Sequence, residues 1–299
     1  MLDECLEGLA IKPEGIYVDG TAGGAGHSKE IAKRLTTGRL IAIDRDPEAV
    51  AVATRRLEGL QAQVVRANYS EIRQVLDSLS IDKVDGVLLD LGVSSYQLDN
   101  AQRGFSYHKD APLDMRMSSE GMSAYDVVND YSEESLSDIF FRYGEERYGR
   151  SIANGIVKAR ADAPIKTTMQ LAEIIKQNVP QKVRREKNPC KKTFQAIRIE
   201  VNGELEHLKT ALDSAFDCLN VGGRLCIITF HSLEDRIVKQ HFAVLCRGCV
   251  CPPDFPVCVC GKTPRGRLVN RKPITAKGSE LESNNRSHSA KLRIIEKLK

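Results

Sequence analysis

One stretch near the start of this chain restricts its fold more than any other. Gly15-Ile16-Tyr17-Val18-Asp19 reads as a strand ending in an acid. It runs directly into Gly20-Thr21-Ala22-Gly23-Gly24-Ala25-Gly26-His27-Ser28, and Lys29 to Leu35 then has a helical pattern. Glycines let the backbone turn sharply and approach a ligand, and a helix start offers free N–H groups. A strand, a glycine turn and a helix open a βαβ unit that can cradle a nucleotide-like molecule. The alternation continues. Arg39–Asp44, Gln63–Arg66 and Val84–Asp90 read as strands, and Pro47–Leu57 and Tyr69–Leu79 read as helices, the first with Pro in its opening turn. Strands alternating with helices predict a parallel sheet, and near-continuous apolar strands predict burial on both faces.

The next strong strand pattern, Gly223–Phe230, begins more than 100 residues after Asp90. A parallel crossover needs only about a dozen residues. The intervening chain is helical in pattern over Ser132–Tyr143, Arg150–Arg160 and Thr168–Asn178. From Thr193 to Leu212 one apolar stripe (Phe194, Ile197, Val201, Leu205, Leu208, Leu212) predicts a helix returning to the sheet. The expected fold is α/β, a Rossmann-like doubly wound sheet with an inserted all-helical domain. The predicted parts are 1–100 and 196–299 for the core and 101–195 for the insertion, with a Cys-rich loop at 246–260. Ser232 and Asp235 resemble a capping box opening a helix. Gly248–Ser287 reads largely as loop and Leu292–Ile295 as a closing strand.

The turn lacks the G-x-G-x-x-G dinucleotide fingerprint. Asp44 ends the second strand, where a carboxylate can accept both hydroxyls of a ribose. Asp19 beside the turn would repel a pyrophosphate but suits S-adenosylmethionine, which carries an ammonium and a sulfonium. Asp90 ends the fourth strand, where ligands of open parallel sheets bind. Two other readings stay open: an NAD(P) oxidoreductase, and a non-enzymatic, zinc-stapled nucleic-acid-binding protein in which the turn is structural. A binding titration with S-adenosylmethionine, its demethylated product and NAD separates the first from a methyltransferase, and the second predicts RNA binding that does not respond to S-adenosylmethionine.

Composition excludes disorder, with 41% hydrophobic and 28% charged residues. No run reaches the roughly 18 apolar residues of a membrane span, and Met1–Cys5 has no secretory pattern, so no membrane partner and a cytoplasmic location are expected. Net charge is only +4, but Lys182, Arg184, Arg185, Lys187, Lys191 and Lys192 form one basic run, and Lys262, Arg265, Arg267, Arg271 and Lys272 another. Such runs suit a polyanion or a solvated face. Of nine cysteines, Cys226 sits in an apolar run that predicts the core. Cys246, Cys249, Cys251, Cys258 and Cys260 crowd one stretch stiffened by Pro252, Pro253 and Pro256. This suits tetrahedral zinc, yet the paired CxxC knuckles are absent, and a reduced loop packed on the core is the other reading. No metal ligand is assigned from the sequence.

Asp19–Ser28, Ile43–Pro47 and Asp90–Ser95 together resemble the bacterial 16S ribosomal RNA cytosine-N4-methyltransferases. The resemblance extends through Arg103–Ser106, Pro112–Met117, Tyr143–Arg147, Thr193–Arg198, Phe230–Lys239, Asn285–Ser287 and Ser289–Arg293, almost the whole chain in order. It implies a class I methyltransferase fold and S-adenosylmethionine-dependent methylation of N4 of one cytosine near the decoding centre, with 16S rRNA, within the small ribosomal subunit, as partner. It also implies cofactor contacts at Ala25, Gly26 and His27, the ribose on Asp44, the adenine beside Tyr69, and Asp90 and Gln97 lining the site. Members of that family usually begin several residues earlier, with a His and a Val-rich stretch before the equivalent of Leu2, which leaves the N-terminal active-site contacts open. Ala22 and Ala25 are small where relatives differ, and no loss of binding is expected. The amino-methyltransferase motif Asp/Asn-Pro-Pro-aromatic is replaced by Asp90-Leu91-Gly92-Val93. Asp90 is therefore the candidate catalytic acceptor for the amine, with Ser94, Ser95 or a backbone carbonyl as alternatives. Arg103, Phe105 and Tyr107 are candidates for clamping the base or for hinge packing. His231 is a second site candidate, or a holder of Asp235.

Overall fold

The computed structural model describes residues 1–118, 120–186, 188–252, 255, 257, 259–276 and 278–299. Lys187, Pro253, Pro256 and Cys258 lie outside them. The chain forms two compact units, Met1–Gly92 with Leu205–Lys299, and Val93–Glu204. The sequence reading placed the boundaries at 100/101 and 195/196.

The first unit opens with α1 (Leu2–Leu9) and alternates β1 (Ile16–Asp19), α2 (Gly26–Ala32), β2 (Arg39–Asp44), α3 (Pro47–Arg56), β3 (Ala62–Arg66), α4 (Ile72–Ser78) and β4 (Val84–Asp90). Asp46 caps α3 by accepting the Glu48 N–H at 3.0 Å, with Pro47 in the first turn. The second unit is built on α5 (Ser95–Asp99), α6 (Ala124–Asp130), α7 (Glu133–Gly144), α8 (Gly149–Asp162), α9 (Thr168–Gln177), α10 (Gln181–Glu186) and α11 (Cys190–Asn202). It buries its own core, including Val127, Leu136, Phe140, Ile152, Ile156, Leu171, Ile175 and Ile197.

Then follow α12 (Glu204–Asp217), β5 (Leu219–Thr229), α13 (Ser232–Cys246), β6 (Gly266–Leu268), β7 (Ile274–Thr275), α14 (Gly278–Ser283) and β8 (Lys291–Lys297). The sheet runs β3-β2-β1-β4-β5-β8-β6, with β7 also on β8. β1 to β5 are parallel, and β8 is antiparallel to β5. Side chains alternate between two buried faces: Ile41, Ile43, Val87 and Leu89 enter one cluster, and Leu40, Ala42, Leu88 and Cys226 the other. That is a doubly wound sheet. No helix among the described residues is long and apolar enough to cross a membrane.

Three expectations change. The stripe from Thr193 to Leu212 is two helices, because Gly203 adopts φ 59° between α11 and α12. The cap of α13 is His231 paired with Glu234, not Ser232 with Asp235. Within Gly248–Ser287, β6, β7 and α14 form where loop is expected.

Candidate active site

The strand order reverses around β1, whose two neighbours are β2 and β4. Ligands of open α/β sheets bind beyond the carboxyl ends of the strands at such a point. The first unit carries Asp19, Asp44 and Asp90 there, at the ends of β1, β2 and β4. Tyr69 follows β3 and starts a short 3-10 turn, capped by Asn68 and Glu71. The turn above β1 needs a close approach: a Cβ at Gly20 would lie 2.5 Å from Leu89 Cδ2 and 3.1 Å from Tyr69 Cβ. Ala25 takes φ 59° at the start of α2, and its N–H donates to the Ala22 carbonyl at 2.6 Å. Both alanines are buried in the core beneath the turn, consistent with small side chains there.

Asp19 is only 1% exposed. Its Oδ2 accepts the Ser28 hydroxyl at 2.5 Å and its Oδ1 accepts the Thr21 N–H at 3.1 Å. This carboxylate fixes the shape of the turn. Its charge acts at a distance, adding to the upward push on the carboxyls of Asp44 and Asp90. Asp44 accepts the Gly23 N–H at 2.7 Å and the Asp46 N–H at 2.9 Å. Burial raises its carboxyl above the usual range, against the pull of those two N–H groups. Each oxygen retains a lone pair for a ligand hydroxyl.

Asp90 is the most distinctive group. Its N–H donates to Thr21 Oγ1 at 2.6 Å, and its Oδ2 lies 3.5 Å from His27 Nδ1. Burial pushes its carboxyl up to about 6, opposed by His27 and reinforced by Asp19. Asp90 Oδ1 and His27 Nε2 are both buried without a hydrogen-bond partner among the described residues. Unpaired buried polar atoms are costly, and a bound ligand relieves them. Sequence reasoning missed Thr21 and Ser28: the Ser28 hydroxyl donates to the Asp19 carboxylate, and the Thr21 hydroxyl accepts the Asp90 backbone N–H; a signal was available in the two hydroxyl residues flanking the glycines.

The other candidates have different placements. His231 caps α13, with Nε2 3.0 Å from Glu234 Oε1. Glu234 Oε2 also accepts the Phe230 N–H at 2.8 Å. Asp235 is held instead by Arg293 at 2.7 Å and Lys291 at 3.2 Å, so the reading of His231 as its holder is corrected. In the second unit, Gln97 and Ser94 form a reciprocal capping box at 3.0 and 3.2 Å. The Ser94 hydroxyl is thereby engaged, and the side chain of Ser95 lies outside the described residues. Phe105 is buried in that unit's core. Arg103 donates to the carbonyls of Arg116 and Met117 at 2.9 and 3.2 Å, and Tyr107 packs edge-on against Phe194, centroids 5.3 Å apart. Each of the three makes its contacts within that unit.

In the basic run of the second unit, Lys182, Arg184, Arg185, Lys191 and Lys192 are exposed. In the other run, Arg265 pairs with Asp217, and Arg267 with Glu296 at 2.7 Å, which neutralises part of it.

A family model described as "MraW methylase family" matches residues 1–298. "Ribosomal RNA small subunit methyltransferase H" of Lachnospira eligens is 56% identical over 303 residues, covering 100% of this chain and 96% of that protein. The protein of the same name from Clostridium botulinum strain Loch Maree is 54% identical over 301 residues, covering 100% and 97%. "Ribosomal RNA small subunit methyltransferase H 2" of Agathobacter rectalis is 56% identical over 301 residues, covering 99% and 96%.

Proposed function

We propose, on the premise that this chain belongs to the MraW methylase family, that it methylates the exocyclic N4 of one cytosine of 16S ribosomal RNA near the decoding centre. The methyl donor is S-adenosylmethionine, which when bound supplies an electrophilic methyl group. The dinucleotide reading falls away with family membership. The observation that carries the chemistry is the buried Oδ1 of Asp90 at the end of β4, which has no hydrogen-bond partner among the described residues.

The residues fit the cofactor. Asp44 keeps lone pairs for the ribose hydroxyls, Tyr69 stands beyond β3 to flank the adenine, and Ala25, Gly26 and His27 form the turn that the backbone of the ligand would follow. Gln97 is assigned to the same site through the resemblance described above. Asp90 has the central role. The lone pair of a cytosine amine is delocalised into the ring, so the amine is a poor nucleophile. A carboxylate accepting its N–H localises that pair. A carboxyl pushed up to about 6 also suits receipt of the proton that the nitrogen gives up, because its proton affinity lies near that of the medium. The target base must leave its stack to reach a protein site. The exposed cations of α10 and α11 supply sequence-independent hold on RNA phosphates. A cytoplasmic location follows from this substrate.

The test is mass spectrometry of rRNA from cells lacking the gene. The expected result is loss of one methyl group on a single cytosine of the small-subunit rRNA, restored by the intact gene. An unchanged cytosine methylation profile refutes the assignment.

A further inference from the structure

The cysteine-rich stretch after α13 takes no part in the methyl-transfer reading above. Its described thiols are not scattered. The sulfurs of Cys249, Cys251 and Cys260 all lie within 4.8 Å of one another. Cys246 stands apart, packed against the core at the end of α13, and Cys258 lies outside the described residues.

Three observations distinguish this trio from thiols that merely share a loop. The first is spacing. Sulfurs held tetrahedrally at about 2.3 Å from a zinc ion are about 3.8 Å apart by geometry, and Cys249 Sγ and Cys260 Sγ are 3.7 Å apart. The second is the backbone. Val250 N–H points to Cys260 Sγ at 3.4 Å, Cys251 N–H to Cys249 Sγ at 3.3 Å, and Val259 N–H to Cys251 Sγ at 3.4 Å. Each sulfur thus receives an amide N–H. A neutral thiol is a weak acceptor; sulfur bearing negative charge is the species such donors stabilise. Three thiolates this close repel one another unless a cation lies among them.

The third observation is the missing core. Val250, Phe255, Val257 and Val259 are 43%, 50%, 70% and 74% exposed, so this segment does not hold itself together by burying its apolar side chains. A short segment without a core needs another staple, and a soft divalent metal is one that thiolates provide.

We propose that Cys249, Cys251 and Cys260 bind one zinc ion as thiolates, in a structural site that shapes the segment between α13 and β6. Each cysteine enters the site as a thiol that releases its proton to solvent on binding, so binding weakens as pH falls. No electron transfer is involved. The site is separate from the glycine turn and does not depend on the methylation reading.

The test uses the full-length chain, produced with zinc in the medium and purified under reducing conditions without chelator. Elemental analysis is expected to give about one zinc per chain, falling at least about fivefold in the double variant Cys249→Ser/Cys260→Ser, with S-adenosylmethionine affinity unchanged. Should the variant not fold, the metal-stripped wild-type chain decides. Titration with cobalt(II) is expected to give a thiolate-to-cobalt charge-transfer band that saturates near one equivalent and is lost on adding zinc. The proposal is overturned by less than about half an equivalent of zinc in the wild type, by zinc retained in the double variant, by a titration without the charge-transfer band, or by a Cys249–Cys260 disulfide in reduced protein.

Discussion

Replacing Asp90 with Asn separates the two things its carboxylate does. The folded protein raises that carboxyl from 3.8 to about 6. At about 1.4 kcal/mol for each tenfold change in proton affinity, the ionised form costs the fold on the order of 3 kcal/mol. The side chain is 30% exposed, and solvent offsets roughly half of this, leaving ~1.5 kcal/mol. The folded-state value lies above the unfolded one, so the penalty is complete above pH 6. It shrinks as pH falls through 6 and is gone below about 4, where both states are protonated. Asp90→Asn is therefore expected to melt about 3 °C higher than wild type at pH 7.5, with the gain vanishing toward pH 4. Its turnover at saturating S-adenosylmethionine is expected to fall ~10²–10³-fold, since the amide presents an N–H donor where the amine needs an acceptor. Wild-type turnover should fall about tenfold per pH unit below pH 6, and the residual rate of the variant should not follow that slope. Melting curves across pH and transfer of a labelled methyl group to small-subunit rRNA provide the readouts. Full turnover in Asp90→Asn removes Asp90 as acceptor; an unchanged melting temperature at pH 7.5 refutes the buried-charge reasoning.

Asp44→Asn should weaken S-adenosylmethionine binding ~10–100-fold by calorimetry, through loss of charge-assisted hydrogen bonds to the ribose; a dissociation constant within about twofold of wild type contradicts the assignment. Gly20→Ala forces a Cβ to 2.5 Å from Leu89 Cδ2 and 3.1 Å from Tyr69 Cβ, and should cost about 1–3 kcal/mol in denaturant unfolding; unaltered stability would show that the turn relaxes freely. Charge reversal of exposed Arg184 and Arg185 should lower rRNA affinity and flatten its dependence on log salt by roughly 1.4 to 1.8, leaving S-adenosylmethionine binding intact; an unaltered salt slope removes α10 from the RNA surface.

The local pattern of this fold is legible in the sequence, and its long-range pairing is not. β2 and β4 occupy the residues that their apolar runs predict, because strands buried on both faces leave a continuous signature. α1 has no side-chain cap and is short, and only its burial of Cys5, Leu6 and Leu9 makes it a helix in this context. The stripe on α11 and α12 reports which side chains face inward but not the break at Gly203. The capping error at α13 is one of register. Ser232 and Asp235 have the right spacing, but Asp235 is claimed by Arg293 and Lys291 on β8, more than 50 residues away, which leaves His231 and Glu234 to close the helix. In the site, the sequence shows that acids end the strands. It does not show which way they point, and Asp19 turns inward to Ser28 while Asp90 keeps an oxygen unpaired. Phe105 has the chemistry to stack on a base, but the core of the second unit takes it.

The division of the chain also sets an order of assembly during synthesis. Val93–Glu204 draws its core from one continuous stretch, so it can complete its packing as soon as that stretch has left the ribosome. The sheet cannot. β4 lies between β1 and β5, and Leu219–Thr229 is translated only after the whole helical unit. A nascent chain arrested before Leu219 would display finished helices beside strands whose central neighbour has yet to be made. The parallel core of the sheet is thereby completed only in the last third of translation.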